Sequence, residues 1–275
     1  MLIYMSTCGK TGKMEERLNK WLGEMGVCSR READRLIESG KVLVDGRRAV
    51  MGQKVSPGQR VICDGKMVQG GREKKPEPVL LVVNKPKGIV CTTSDKDKAQ
   101  NIVEFLKYPE RIYPVGRLDK ESEGLILMTN QGDLVNKMMR SGNAHEKEYI
   151  VTIDKPVTDA FIAKMEKGVR LDELDEVTRP CKVEKMDAKV FSIILTQGLN
   201  RQIRRMCQAC GCEVKSLKRV RVMNIRLGTL RTGAFRKVTP MEYKELTRLL
   251  KDSSSLSVKE QKAAGPRKRR KSPRS

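Results

Sequence analysis

The hydrophobic pattern opens with a helical period. Arg17-Leu18-Asn19-Lys20-Trp21-Leu22 begins an amphipathic helix that ends near Gly26. Ser29, with Glu32 three residues on, is a capping box for a second helix. Its apolar face is Ala33, Leu36 and Ile37, and Gly40 ends it, because glycine takes a left-handed conformation at little steric cost. Val42-Leu43-Val44 followed by Asp45-Gly46 then reads as strand and turn, and Pro57-Gly58 as a further turn before Val61-Ile62.

From Val79 the pattern changes to longer apolar runs. Val79-Leu80-Leu81-Val82-Val83 and Leu125-Ile126-Leu127-Met128 lack alternation, as strands buried on both faces do. Tyr149 to Ile153 and Val190 to Leu195 are β-branched and aromatic, so both read as strands. Arg219 to Ile225 alternates basic and apolar residues, which predicts a strand with one wet face. Between them, Asn200 is the expected N-cap and Gly211 the expected C′ residue of a helix. Ile203, Met206, Cys207 and Cys210 form its apolar face, with Arg201, Arg204 and Arg205 opposite. Thr239-Pro240-Met241-Glu242 opens a last helix with a capping box and proline at its first position. Strands and helices alternate irregularly, so the fold class is α+β with a mixed sheet. The expected organisation is a disordered start over 1–13, a small domain over 14–69, a Gly/Lys/Pro linker over 70–78, a larger domain over 79–250 and a basic disordered tail over 251–275.

Charge points to the partner. Fifty-seven Lys and Arg against 34 Asp and Glu give a net charge of +23. Only +7 of it lies from Lys251 onward, so the body of the chain is itself basic. Such an excess favours a polyanion, most often nucleic acid. No apolar run approaches the roughly 20 residues that cross a membrane, and the first residues do not resemble a signal peptide, so a cytoplasmic protein is expected. The eight cysteines are expected to be free thiols in such a compartment. Cys207, Cys210 and Cys212 invite a zinc reading, but no second pair matches them, and the single histidine, His145, is distant in sequence. Core packing explains Cys207 and Cys210 better. No Walker A loop and no Gly-x-Gly-x-x-Gly after a strand is present, so neither metal nor nucleotide cofactor is expected.

What remains is carboxylate chemistry. Gly116-Arg117-Leu118-Asp119-Lys120-Glu121-Ser122-Glu123-Gly124-Leu125 places one Asp beside an Arg in a loop bounded by glycines, ahead of a buried strand. Asp119 is either a turn former or a reactive carboxylate held by a rigid element, and the loop alone leaves both open.

Two resemblances narrow the choice. Residues 16–64 resemble the S4 domain, a small RNA-binding module, through Arg17-Leu18-Asn19-Lys20, Ser29-Arg30-Arg31-Glu32-Ala33, Ile37, Gly40, Val42, Val44 and Asp45-Gly46. The resemblance implies recognition of RNA backbone and shape by a basic helical face, here Arg17, Lys20, Arg30, Arg31, Arg35 and Lys41. Residues 79–248 resemble the RsuA-type pseudouridine synthases, which isomerise uridine in folded rRNA. The matching motifs are Lys85-Pro86-x-Gly88, Gly116-Arg117-Leu118-Asp119-x-x-Ser122-x-Gly124-Leu125, Glu146-Lys147-Glu148-Tyr149 and Gln197-Gly198-x-Asn200-Arg201-Gln202-Ile203-Arg204-Arg205-Met206. Ser122 stands where the wider family often has Thr, a change that keeps the hydroxyl. Lys120-Glu121-Ser122 and His145-Glu146-Lys147-Glu148-Tyr149 look most like the F-type large-subunit rRNA subtype, some members of which also modify a tRNA anticodon-loop uridine.

The resemblance implies a mixed, largely antiparallel sheet flanked by helices, and a role for each matched residue. Asp119 would be the catalytic aspartate, attacking covalently, stabilising a cationic centre or taking a sugar proton. Arg204 would pair with it and favour its ionised form. Tyr149 would stack on the base, Arg117 would fill the vacated place in the RNA stem, and Lys85, Arg201 and Arg205 would hold the RNA backbone. A monomer that binds ribosomal RNA, without cofactor or membrane, is expected. Two other functions stay open: a noncatalytic S4-type RNA-binding or ribosome-assembly factor, and an aspartate-dependent hydrolase.

Overall fold

The computed structural model describes residues 15–68, 77–92 and 99–253. The expected disordered start, most of the linker and the tail beyond Ser253 lie outside the described residues. Contacts divide the chain after Pro78 into two units.

The first unit contains β1 (Glu16–Arg17), α1 (Leu18–Glu24), α2 (Arg30–Glu38), β2 (Val42–Val44), β3 (Arg47–Arg48), β4 (Lys54–Val55), β5 (Val61–Cys63) and β6 (Lys66–Val68). Leu18, Leu22, Ala33 and Ile37 bury one face of the two helices against Val42, Val44 and Val61. Ser29 Oγ accepts the Glu32 N–H at 3.1 Å, as the capping box requires. The reciprocal half does not form: the Glu32 carboxylate pairs with Arg35 instead. A charged guanidinium one turn along outcompetes a neutral amide for a carboxylate. Asp45 and Gly46 both have positive φ, 50° and 80°, and so make the two-residue turn that matches strand twist between β2 and β3.

The second unit runs β7 (Leu80–Lys85), α3 (Ile102–Leu106), β8 (Tyr113–Val115), β9 (Glu123–Thr129), α4 (Gly132–Met139), β10 (Lys147–Ile153), α5 (Asp159–Lys167), β11 (Arg170–Leu171), β12 (Glu176–Val177), β13 (Lys182–Asp187), β14 (Val190–Leu195), α6 (Gln202–Ala209), β15 (Val214–Val222), β16 (Ile225–Arg226), β17 (Phe235–Lys237) and α7 (Pro240–Leu249). Its nine-stranded sheet has the order β13-β14-β10-β15-β9-β7-β17, with β16 beside β15 and β8 beside β9. Among the strand pairs described in this sheet only β9 and β15 run parallel, so the sheet is mixed and largely antiparallel. The dense apolar runs have a simple cause. Leu80 and Val82 of β7 enter one core while Leu81 and Val83 enter another, and Leu125 and Leu127 of β9 are split from Ile126 and Met128 in the same way. Both faces of these strands are covered, so the runs Leu80–Val83 and Leu125–Met128 are apolar throughout, and the polar residues that follow, Asn84, Lys85 and Thr129, are buried with hydrogen-bond partners.

The segment from Arg219 to Ile225 departs from expectation. β15 begins at Val214 and lies inside the sheet between β10 and β9, where Arg219 is only 2% exposed. The pairing with β10 shifts register between Glu148↔Arg221 and Tyr149↔Arg219, leaving Val220 as an extra residue. Such a bulge re-aims side chains. Arg219 and Arg221, two apart and expected on one wet face, therefore serve different neighbours. Arg221 pairs with Glu148 at 2.7 Å and Glu146 at 3.0 Å, while Arg219 turns inward.

Candidate active site

The loop carrying Asp119 is fixed from three sides. Gly124 pairs with Arg219 in the parallel β9–β15 contact and has φ of +100°; a Cβ there would meet the Arg219 carbonyl oxygen at 2.3 Å. The Arg219 guanidinium donates to the carbonyls of Leu125 at 2.7 Å and Arg117 at 3.5 Å. On the other flank, Lys85 Nζ donates to the carbonyls of Pro86 at 2.8 Å and Lys120 at 3.4 Å, and the Gly88 N–H also donates to Lys120 O, at 2.8 Å. Beneath the loop, Leu118 donates its N–H to Cys91 Sγ at 3.4 Å. Asp119 is thus presented by a braced turn.

Lys85 was expected to touch the RNA backbone, and the structure corrects this. The side chain is fully buried, and desolvation lowers its pKa, against the favourable nearby charges of Glu121, Asp119 and Glu123. A phosphate cannot reach it. The Lys85-Pro86-x-Gly88 motif is an internal clamp on the residue that follows Asp119.

Asp119 opens onto a pocket of about 610 Å³. Arg117, Tyr149, Arg201, Lys147 and Arg219 line it, with Gln197, Leu195 and Leu217 among the other walls. Tyr149 packs at the junction of two hydrophobic cores, one built on β10 and β14 and the other on β7 and β9. Strand alternation explains its motif: Glu146 and Glu148 reach Arg221, whereas Lys147 and Tyr149 line the pocket. Lys147 is 6% exposed, with Nζ on the His145 carbonyl at 3.1 Å. Desolvation, reinforced by the positive charge of Arg219, pushes its pKa down to about 8.

The arginines divide differently from expectation. Asp119 pairs with Arg201, at 3.7 Å, and not with Arg204. Arg204 donates to the carbonyls of Val214 at 3.2 Å and Glu121 at 3.3 Å, so it ties α6 to β15 and to the Asp119 loop. The cause is the start of α6. The N-cap is Arg201, with a left-handed φ of 49°, where Asn200 was expected; Gln202 Oε1 accepts the Leu199 N–H at 3.1 Å. Arg201 is therefore outside the helix and does not share a helical face with Arg204 and Arg205. Arg205 pairs with Glu173 and does not line the pocket, so it is not placed to hold RNA at the site. The apolar face is as the spacing predicts, with Ile203, Met206 and Cys207 buried. Burial pushes the Cys207 thiol up to about 12, which suits core packing and not a thiolate ligand. His145 does not line the pocket; its Nε2 lies 2.8 Å from Ser253 Oγ.

In the first unit Arg17, Arg30, Arg31, Arg35 and Lys41 are exposed and Lys20 is half-buried. Lys20 pairs with Glu16 at 2.8 Å and Glu24 at 3.3 Å, Arg35 with Glu32, and Lys41 with Asp64 at 3.2 Å. Surface pairs of this kind contribute about 0–1 kcal/mol, so they yield readily to a phosphate. Arg47 and Arg48 on β3 add two exposed cations that the motif reading did not include.

Comparison with known proteins agrees with this geometry. An RNA pseudouridylate synthase family model matches residues 79–209, and an S4 domain model matches residues 16–61. The chain is 51% identical to the dual-specificity RNA pseudouridine synthase RluF of Escherichia coli K12, over 91% of this chain and 84% of that protein. It belongs to the RsuA-type RNA pseudouridine synthases. It is also 35% identical to the ribosomal large subunit pseudouridine synthase B of Bacillus subtilis, over 85% of this chain and 96% of that protein. A crystal structure of a pseudouridylate synthase superposes with a TM-score of 0.61 at 27% identity, covering 84% of this chain and 99% of that one. The synthase is an enzyme that acts on RNA, and the noncatalytic alternative falls away. Two pocket residues escaped the sequence reading as site residues. Lys147 was signalled by its period-two spacing from Tyr149. Arg219 carried no local signal, because only the bulge turns it inward.

Proposed function

We propose that this synthase isomerises a uridine in large-subunit ribosomal RNA, and that a tRNA anticodon-loop uridine is a second substrate. The pocket carries the reading: a braced carboxylate at the entrance of a cavity whose wall is an aromatic ring suits a base swung out of its stem. The names of the relatives, one of dual specificity and one acting on the large ribosomal subunit, support the choice of RNA. In this reading Asp119 acts at the ribose, as nucleophile or base, and Tyr149 stacks on the uracil. Arg117, exposed beside Asp119, enters the place the base leaves in the stem. Arg201 faces the ribose-phosphate while pairing with Asp119, and Arg204 acts through the loop it holds. Arg17, Lys20, Arg30, Arg31, Arg35 and Lys41 grip RNA away from the reacting base. The protein works as a cytoplasmic monomer, in the compartment of its RNA.

Mapping pseudouridines in rRNA and tRNA from cells with and without the gene tests this. One large-subunit site and one anticodon-loop site should disappear on deletion and return with the wild-type gene, but not with Asp119→Asn, which should lose about 10³-fold in rate or more. Retention of the large-subunit site in the deletion strain would overturn the proposed substrate.

A further inference from the structure

Five cations line the active-site pocket, Arg117, Lys120 and Arg201 exposed and Lys147 and Arg219 buried, and the buried pair has no assigned role in the reaction itself. Arg117 and Arg201 at the rim are exposed, and Arg201 already has Asp119 as its counter-charge. Lys147 and Arg219 are 6% and 2% exposed. They come from neighbouring strands. Arg219 of β15 lies opposite Tyr149 of β10, and Lys147 is two residues from Tyr149 on the same strand, so all three line one wall. Arg219 uses Nε and Nη1 on the carbonyls of Leu125 and Arg117, but its buried Nη2 has no partner among the described residues. Lys147 has the His145 carbonyl, and the charged group that acts on it is Arg219, of like sign. Buried like charges facing one cavity make an electrostatic site shaped for negative charge.

We propose that Lys147 and Arg219 are catalytic residues that carry the negative charge of the uracil ring while it is detached from the ribose. This rests on the pocket receiving the flipped uridine. The reaction creates such an anion. When the C1′–N1 bond breaks, its electron pair stays on the base, and the electron-poor sugar is met by the Asp119 carboxylate. After the ring turns, a pair at C5 forms the C5–C1′ bond while the C1′–O bond to Asp119 breaks and the carboxylate leaves with its electron pair. The C5 proton then leaves to a base in the pocket and N1 takes up a proton, so the product is a neutral isomer. Charge on the detached ring is spread over its two carbonyl oxygens, and donors fixed beforehand in a dry site stabilise developing charge most effectively. Depth separates this role from phosphate binding. A swung-out nucleotide enters base first, leaving its phosphates at the rim beside Arg117 and Arg201. The bulge at Val220 is the device that turns Arg219 toward the ring.

Full-length Lys147→Met and Lys147→Arg test the proposal, with tritium release from C5-tritiated RNA of cells lacking the gene. That RNA contains the substrate whichever molecule carries it, so a wrong choice of RNA would appear in the mapping experiment and not here. Single-turnover release by Lys147→Met should fall about 10²- to 10³-fold, while the RNA dissociation constant moves less than about threefold. Lys147→Arg should stay within about tenfold of wild type, since it keeps the charge. In wild type kcat/KM should fall as pH rises past about 8, where the free enzyme loses the Lys147 proton, and this limb should vanish in Lys147→Arg. A Lys147→Met rate within about threefold of wild type, a loss confined to RNA affinity, or an unchanged alkaline limb in Lys147→Arg would each overturn the role. The Arg variant keeps the test decisive should the Met variant fail to fold.

Discussion

Single residues in this pocket are placed at some cost to stability. Lys147 is buried beside Arg219, and its proton is held less tightly than in water. The folded state therefore binds fewer protons than the unfolded chain between about pH 8 and the ordinary lysine value of 10.5. The penalty is full below pH 8 and is relieved as pH rises through that window. Lys147→Met should accordingly melt at or above the wild-type temperature at pH 7, with the margin shrinking toward pH 10.5, although it is catalytically impaired. A Met variant that melts well below wild type at pH 7, by calorimetry, would contradict this balance. In the proposed reading Tyr149 stacks on the uracil, and its hydroxyl is a candidate to assist loss of the C5 proton; Tyr149→Phe separates the two. Stacking on the base survives, so RNA affinity should change by less than about threefold. If the hydroxyl assists loss of the C5 proton, turnover should fall by about 10²-fold or more. Normal turnover in the Phe variant would exclude the hydroxyl from that step.

Pairs of elements decide where the Asp119 carboxylate stands. The parallel contact of β9 with β15 exists because Gly124 has no side chain to meet the Arg219 backbone. Gly124→Ala combines a 2.3 Å clash with a left-handed φ, and should cost at least about 2 kcal/mol in urea unfolding. Activity should fall further than stability, because the same contact carries both Arg219 and the Asp119 loop. An active Gly124→Ala variant of wild-type stability would show that the strands part without moving the loop. Much at this level was readable from sequence: the runs of β7 and β9, the apolar face of α6, and the Thr239 cap, whose Oγ accepts the Glu242 N–H at 3.2 Å. The start of α6 was not. A left-handed Arg201 in place of an Asn cap is a consequence of how the preceding loop meets the pocket, and it is what hands the Asp119 ion pair to Arg201.

Across the whole molecule, positive charge is spread over both units. A protein that neutralises phosphates releases counterions from RNA, so affinity depends on salt. Arg30→Ala with Arg31→Ala should weaken RNA binding and make the log–log salt slope shallower by roughly 0.7 for each lost contact. Turnover at saturating RNA should stay within about twofold of wild type, since neither residue lies in the pocket. A fall in saturated turnover with an unchanged salt slope would remove these arginines from the RNA grip.

The amino-acid sequence by itself pointed to an RNA-modifying synthase. The motifs it shares with the pseudouridine synthases pointed to Asp119 and Tyr149, and the basic balance called for a polyanion, because motif order and net charge are legible without a fold. It also marked most elements, since hydrophobic period is local. Tertiary structure alone decided how the cations share the work. Lys85 became an interior clamp, Arg204 a strut, Arg201 the partner of Asp119, and Lys147 with Arg219 the pocket floor. A long cation looks the same in sequence whether it meets RNA or a carbonyl. Strand order, one bulge and the depth of the pocket make the difference, and each depends on residues far apart in the chain.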